Sequence, residues 1–526
     1  MIDSILLNNQ QIVQYLEDGY VVLNPTELDQ AFHQRMFEAA CWTYGMAQGA
    51  ASQGAAPHIK VIADNLRQRI PDAELLLRSP TIDGAITSIL GEDWQLYPHD
   101  FIHESSANDQ FFHQDGNLPW NDRGHYRSHR PDWAMLFYYP QPTDQTTGPT
   151  EVLPGTQYWT NDYELPDGTW HRGDPLGRSL KRFDPTTASL QERDNYIQKV
   201  ADTWGVPNLE RRKLEVPCGG AILASYDLSH RGTRQEPDFD GRRFMYKFYL
   251  YRATSPSTPT RRSESVPVPQ IDNAKIARIV ERNWYWLNGE TPNWDLSRND
   301  TTTDMLVDAG TDAERIRIAY ELGLLANVDD RIRHALISFI AHDQEAVRRA
   351  AGYALGLVNS IDSREFEGMM SDNRAPIRRA TVLALREAMC CDQMAVDWLI
   401  DRVENDIDDL VRSNAAYALG ILLRTHANAL DVNDRLIARL DHDVEPDNTN
   451  NGGMSRSTVR ENVALALTMT QLTSSEIEKT LHYAIVEHDR YAKSLLFMAI
   501  RRSVRNLSEP WLADLIEYLA DRRYVV

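Results

Sequence analysis

The chain has 526 residues, more than one ordinary domain holds, and its 42% hydrophobic and 25% charged residues are typical of a soluble globular protein. The formal net charge of −21 argues against nucleic acid or an anionic membrane as partner, because such a surface repels them. The four cysteines favour free thiols over a disulfide framework or a cysteine zinc site. No apolar run could span a bilayer and no secretory signal is recognisable, so we expect a cytoplasmic protein.

The first half of the chain alternates predicted helices and strands. Helical spacing of apolar residues predicts helices over Gln10–Asp18 and Leu28–Tyr44. Short runs rich in β-branched and aromatic residues, bounded by turn formers, predict strands. The clearest of these runs are Tyr20–Leu23, Ala134–Tyr139, Ala221–Ala224 and Phe244–Tyr251.

A candidate metal-binding pair lies in the segment Phe111–Gly116, which reads FFHQDG. His113 and Asp115 are two residues apart, so on a strand both side chains point to the same face and can bind one ion. Among the 15 histidines only His113 is followed by an acidic residue two positions later. Taken alone the pattern is short, and a surface histidine beside an aspartate would explain it equally well.

A second histidine and two arginines follow much later in the chain. His230 comes directly after a predicted strand, and Arg242 and Arg243 open the next one. Two histidines and one carboxylate on one face of iron leave three positions for a keto acid and dioxygen. The planar guanidinium of an arginine matches the far carboxylate of such an acid. A one-residue slip in register would decide whether Arg242 or Arg243 faces inward.

Between the two halves, Thr254–Pro269 is rich in Pro, Ser and Thr and predicts an extended linker. A tryptophan-containing transition region follows it. We therefore divide the chain into a domain at residues 1–255, a linker and transition region at 256–310, and a helical-repeat domain at 311–526.

The last third repeats one motif: an aliphatic residue, an arginine, small residues and then Ala-Leu. Four of the five start-to-start spacings are 30–34 residues, and the fifth is 48 because an exposed loop, Glu445–Ser457, is inserted. Such a period predicts an α-solenoid of two-helix units. The units resemble HEAT repeats. Each carries an arginine at its second position, namely Arg315, Arg348, Arg378, Arg412, Arg460 and Arg490.

Residues 10–252 resemble the phytanoyl-CoA dioxygenase family of iron(II)/2-oxoglutarate oxygenases. The resemblance rests on four segments in the order of that family. These are Tyr15–Leu23, His113–Asp115, Gly148–Thr156 (GPTEVLPGT) and His230-Arg-Gly, with Arg242 near the position of the family's oxoglutarate arginine. One departure is Gln157, where the family often has histidine.

The resemblance implies a double-stranded β-helix (jelly-roll) fold and an enzyme. It implies that His113, Asp115 and His230 bind Fe(II), and that Arg242, or else Arg243, binds the co-substrate 2-oxoglutarate, with O2 as oxidant. The expected reaction is hydroxylation of a small or carrier-bound metabolite, in a setting such as natural-product biosynthesis. Related halogenases replace the metal carboxylate with a small residue, so Asp115 disfavours halogenation.

Two alternatives remain open at this point. The same active site could catalyse desaturation, cyclisation or epimerisation, because the ligand set does not separate these outcomes. Alternatively, the repeats could form a non-catalytic scaffold beside a vestigial oxygenase domain. The repeats could also bind a protein partner or another copy of the chain.

Overall fold

The computed structural model describes most of the chain. It describes residues 4–52, 66–105, 109–115, 128–164, 189–256, 268, 270–290, 294, 300–424, 432–441, 458–487 and 489–505. Most of the predicted linker and the whole predicted loop Glu445–Ser457 lie outside these residues. Below, the sheet region means residues 4–256 and the helical region means residues 300–505.

Two antiparallel sheets form the sheet region. The larger has the strand order β1-β6-β3-β8-β2 and the smaller the order β5-β4-β7. The four strands predicted from the sequence are confirmed to within one residue at each end. The strands are Tyr20–Leu23 (β1), Trp94–Glu104 (β2), Trp133–Tyr138 (β3), Thr150–Val152 (β4), Arg212–Leu214 (β5), Ala221–Ser225 (β6), His230–Gly232 (β7) and Phe244–Arg252 (β8).

The two sheets pack face to face. The alternation of side chains along β8 distinguishes the inner face of the larger sheet from its outer face. The Tyr139 and Thr150 hydroxyl groups, one from each sheet, lie 2.6 Å apart. On β8 the odd-numbered side chains of Tyr249 and Tyr251 lie on the inner side of the larger sheet, whereas Tyr246 and Phe248 pack against helices on the outside. This period of two follows from strand geometry.

Helices cover the outer face of the larger sheet. In the first one, Asn8 and Gln11 form a capping box and Gly19 ends the helix in the left-handed conformation. The helix Leu190–Trp204 is not among those predicted from the sequence. The helices of the sheet region are Asn9–Asp18 (α1), Gln30–Ser52 (α2), Leu66–Arg69 (α3), Asp72–Leu77 (α4), Pro80–Leu90 (α5) and Leu190–Trp204 (α6).

The helical region has two layers. Each motif copy lies in an inner helix, and consecutive inner helices pack against one another. Between the two regions lies Ala277–Leu287 (α7). The inner helices are Asp312–Leu325 (α9), Glu345–Leu355 (α11), Ala375–Glu387 (α13), Asp409–Leu423 (α15), Thr458–Thr468 (α17) and Arg490–Arg505 (α19). The outer helices are Thr303–Asp308 (α8), Asp330–Phe339 (α10), Glu367–Met370 (α12), Gln393–Asn405 (α14), Asn433–Arg439 (α16) and Ser474–Val486 (α18).

In four of the copies the repeated arginine binds carbonyl groups at or just after the end of the preceding outer helix. Arg315 donates to the carbonyl oxygens of Leu306 and Ala309, and Arg348 donates to that of His342 at 2.6 Å. Helix ends leave their last carbonyl groups without intrahelical partners, so a guanidinium there is stabilising. The motif therefore has a structural explanation that needs no ligand.

The inner layer packs on the sheet region. His129, just before β3, lies 3.0 Å from the Tyr320 hydroxyl of α9, and Arg424, just after α15, pairs with buried Asp132 at 2.6 Å. At the other end, Arg501 of α19 donates to Gln95 of β2 at 3.1 Å. Among the helices of the described residues, none has both the length and the apolarity that crossing a membrane requires. The structure thus confirms antiparallel sheets followed by many helices.

Candidate metal centre

The two predicted histidine ligands face each other across a β-bridge. His113 and His230 exchange both backbone hydrogen bonds, each 3.0 Å long. Residues paired in this way have their side chains on the same side of the sheet. Their imidazole centroids are 4.3 Å apart, although 117 positions separate them in the printed sequence.

Backbone carbonyl groups fix the orientation of both rings. The Nδ1 atom of His113 lies 2.9 Å from the Phe111 carbonyl oxygen, and Nδ1 of His230 lies 2.9 Å from that of Leu228. Nδ1 must carry the proton to donate there, which leaves the Nε2 lone pair of each ring for a metal ion.

Asp115 completes the group. Its Oδ1 is 3.5 Å from Nε2 of His113 and its Oδ2 is 3.9 Å from Nε2 of His230. One ligand atom from each of the three residues lies within 4.8 Å of the other two. Gln114, between the two ligands, points the opposite way and donates to the Thr156 carbonyl oxygen at 3.0 Å. The predicted same-face arrangement of His113 and Asp115 is therefore present.

The GPTEVLPGT segment supports this group from behind. Besides accepting from Gln114, Thr156 accepts at Oγ1 from the amide of Ser229, the residue before His230, at 3.1 Å. Gly148 has a φ of 78°, and a Cβ atom there would lie 2.5 Å from the Thr233 carbonyl oxygen. Only glycine fits such a backbone without strain. Gln157 donates to the Leu16 carbonyl oxygen at 3.1 Å and so ties the segment to α1.

Asp115 also contacts a lysine that the sequence reasoning did not single out. The Lys247 ammonium lies 2.5 Å from Asp115 Oδ2 and 3.1 Å from His230 Nε2, and the lysine is only 4% exposed. Its ammonium also lies over the Phe137 and Tyr249 rings. A sequence signal did exist, because Lys247 is the one charged residue inside the aromatic run Phe244–Tyr251.

These contacts set the protonation states. Burial alone would raise the pKa of Asp115, but Lys247 and the two imidazoles outweigh it and hold that pKa well below its usual range. Burial, reinforced by Lys247, lowers the pKa of His230 far below its usual value. At neutral pH the group is therefore one carboxylate beside a neutral imidazole, the forms that bind a divalent metal.

The two predicted arginines lie on opposite sides of the larger sheet. Arg242 is on the outer side, where it pairs with Glu104 at 2.5 Å and stacks on the Phe244 ring. Arg243 is buried on the inner side, 5.7 Å from the centre of the Tyr139 ring, and donates to the Gly148 carbonyl oxygen. Arg243 therefore lies on the same face of the larger sheet as Lys247 and Asp115.

A further histidine belongs to the same inner surface. His103 of β2 pairs in register with Met245 of β8. Burial and the Lys247 charge together lower the pKa of His103 to about 3, although Asp115 opposes this. His103 is therefore neutral near neutral pH. His125 and His171 lie outside the described residues.

No protein-family model matches the chain, and no curated protein matches it significantly. Some solved structures match about half of it. Iron-bound EctD from S. alaskensis is 13% identical with a TM-score of 0.32, over 48% of this chain and 79% of EctD. The non-heme alpha ketoglutarate dependent carbocyclase SnoK from nogalamycin biosynthesis is 15% identical with a TM-score of 0.31, over 51% of this chain and 94% of SnoK. HygX from Streptomyces hygroscopicus, with nickel and 2-oxoglutarate bound, is 12% identical with a TM-score of 0.31, over 50% of this chain and 98% of HygX.

Proposed function

We propose that this chain is an Fe(II)- and 2-oxoglutarate-dependent oxygenase that hydroxylates a small or carrier-bound metabolite. One observation carries the proposal. His113, Asp115 and His230 converge with their ligand atoms within 4.8 Å of one another, and both imidazoles turn Nε2 towards Asp115. Two imidazoles and one carboxylate are the donor set of non-heme iron oxygenases.

The residues fit iron(II) chemically. Asp115 is ionised and His230 is neutral, so no proton has to leave either before a metal binds. A three-residue donor set on one side of the ion leaves positions for the keto acid and for O2. When bound, iron(II) supplies a centre at which O2, with decarboxylation of 2-oxoglutarate to succinate, oxidises a C–H bond of the substrate.

For 2-oxoglutarate, the geometry favours Arg243 over Arg242 as the carboxylate-binding arginine. Arg243 shares the inner side of β8 with Lys247, whereas Arg242 is engaged with Glu104 on the outside. Both cations of the inner side would attract the dianionic acid, Arg243 through its planar guanidinium and Lys247 as a point charge. The buried surroundings strengthen each interaction because water is excluded.

The finer assignments follow from the same reading. The two sheets would be the halves of a jelly-roll at residues 1–255, and the helical pairs at 311–526 would be HEAT-like repeats. Hydroxylation is proposed over halogenation because the metal carboxylate Asp115 is present. Desaturation, cyclisation or epimerisation would use the same ligand set, and a cytoplasmic setting fits the thiol content. Binding of iron(II) and 2-oxoglutarate would argue against the alternative of a scaffold with a vestigial oxygenase domain.

The direct test is optical. Under anaerobic conditions, Fe(II) plus 2-oxoglutarate should produce a weak visible metal-to-ligand charge-transfer band in the full-length protein. His113→Ala should abolish this band because it removes one of three ligands. His334→Ala, which truncates an exposed histidine of α10, serves as the matched control and should retain it. If the native protein gave no band, the non-catalytic scaffold would be the better explanation.

A second test separates the arginines. Arg243→Lys keeps the charge but loses the planar fork, so 2-oxoglutarate affinity read from the same band should fall about tenfold. Arg242→Lys should leave that affinity unchanged. The reverse pattern would assign the acid to Arg242, and no change in either variant would assign it to Lys247.

A further inference from the structure

Side chains of the helical region reach the layer that surrounds the metal centre. The Tyr249 hydroxyl donates to Asp115 Oδ2 at 3.0 Å. The Tyr249 ring packs on the His99 ring with centroids 5.0 Å apart. His99 Nδ1 in turn lies 2.5 Å from the hydroxyl group of Tyr491, which belongs to α19. Two intervening side chains therefore connect the carboxylate of the centre to the last described helix.

Neighbouring contacts repeat this arrangement along the same end of the inner surface. Each joins an inward side chain of the larger sheet to an inner helix. Trp133 Nε1 donates to the Tyr417 hydroxyl of α15 at 3.0 Å, and the Tyr251 hydroxyl donates to Thr468 of α17 at 2.9 Å. The Tyr97 hydroxyl donates to the carboxylate of Glu461, also on α17 and only 2% exposed.

The order of residues along β8 gives this surface a direction. From Arg243, just before β8, the inward side chains run through Lys247 and Tyr249 to Tyr251, and every two residues advance about 7 Å. The centre lies beside Lys247 and Tyr249, Arg243 lies towards one end, and the helical region covers the other. If the keto acid extends from the centre towards Arg243, the remaining side of the metal faces the helical region.

We propose that the helical region forms the substrate-side wall of the active site. Tyr491 and Glu461 are positioning residues, because they hold His99 and Tyr97 of the sheet by hydrogen bonds. Tyr417 holds Trp133 in the same way. This inference rests on the proposed oxygenase function. It assigns the repeats a part in substrate selection within the same chain. The polar groups of this wall are hydrogen-bonded to the sheet region. The aromatic rings that they hold would therefore contact an organic substrate.

Metal-directed oxidation of the full chain tests the placement without knowledge of the substrate. Fe(II), ascorbate and O2 generate oxidants at the bound ion that modify the nearest side chains, which peptide mass spectrometry identifies. We expect modification of the metal-binding histidines and Tyr249, and also of Tyr491 in the helical region. Tyr483, on outer helix α18 with its hydroxyl on Asp441, is the internal control and should remain unmodified.

The outcomes separate the two proposals. Modification at the metal-binding residues but not in α15, α17 or α19 overturns the wall and leaves the oxygenase intact. A pattern that is unchanged in Asp115→Ala means that the iron is not bound at the centre, which overturns the oxygenase and the wall together. Modification of Tyr491 that disappears in Asp115→Ala supports both.

A kinetic readout complements the mapping. Opening the wall admits water to the centre, so Tyr491→Ala should raise substrate-free succinate release about threefold to tenfold, a change of ~1 kcal/mol in barrier. Tyr483→Ala should leave that rate unchanged. Equal rates in the two variants, with the anaerobic band intact in both, contradict the wall.

Discussion

Two buried carboxylates, Asp115 in the candidate metal centre and Glu345 at the junction between the regions, have opposite protonation behaviour. Asp115 has its pKa held low by Lys247 and two imidazoles, against the effect of burial. Glu345 accepts from the Tyr163 amide at 2.7 Å and lies 3.6 Å from Arg349. Nevertheless, burial raises the pKa of Glu345 to about 8.

The difference lies in the charges nearby. Around Glu345, Arg349 is shared with Asp162 and Asp312 at 2.9 Å each, and Glu164 adds a further negative charge. At the metal centre, Asp115 is the lone carboxylate of the described ligand cluster. A buried carboxylate is therefore not by itself evidence of a metal ligand. The local balance of charge decides whether a buried carboxylate stays ionised.

The largest expected effect is on metal affinity and comes from removing the ionised carboxylate of Asp115. Asp115→Ala removes the anionic ligand and leaves Lys247 beside His230, so affinity for Co(II), a redox-stable probe, should fall at least about 100-fold. Visible absorption of the bound ion measures this. The control Asp434→Ala truncates an exposed partner of Lys479 and should bind Co(II) normally. Retained affinity in Asp115→Ala would place the metal elsewhere.

Removing the counter-ion tests the same balance from the other side. Lys247→Met leaves Asp115 buried without its ammonium partner, which should cost about 3–5 kcal/mol of unfolding free energy without metal. Added Co(II) should recover much of this loss because a divalent ion also compensates the carboxylate. Denaturant unfolding with and without Co(II) measures both. Lys479→Met should cost under ~1 kcal/mol, as exposed pairs do. A loss that Co(II) does not reduce would mean that Lys247 and the metal serve different groups.

The smallest effect concerns Glu345 and pH. Between about pH 4.5 and 8 the unfolded chain ionises this residue while the folded chain retains its proton. The folded state then binds more protons, so this contribution to stability falls as pH rises through that window. Glu345→Gln cannot ionise and should flatten the dependence, with Tm at pH 8 higher than in the native protein by about 2–4 °C. Parallel pH profiles of Tm for the two proteins would show that Glu345 is ionised when folded.

Much of the fold follows from local patterns. Runs rich in β-branched and aromatic residues, such as Phe244–Tyr251, predict the strands because these residues favour extended backbone whichever sheet the strand joins. The repeated motif predicts the inner helices in the same way, from local sequence. Helix α6 was not predicted, although its buried residues Ile197, Val200, Ala201 and Trp204 follow helical spacing. Polar and charged residues fill its first half and leave only two turns with that pattern. Strand pairing and the contact of helices with the sheet region depend on distant segments, which spacing does not encode.

The sequence by itself determined which side chains were available: one histidine followed by an acid, a distant histidine and a pair of arginines. Tertiary structure decided which of them meet. The bridge between His113 and His230 closes the centre, register on β8 turns Arg243 inward and Arg242 outward, and burial brings Lys247 to Asp115. The physical reason is that alternation fixes relative facing along one strand, whereas pairing between strands fixes which face is enclosed.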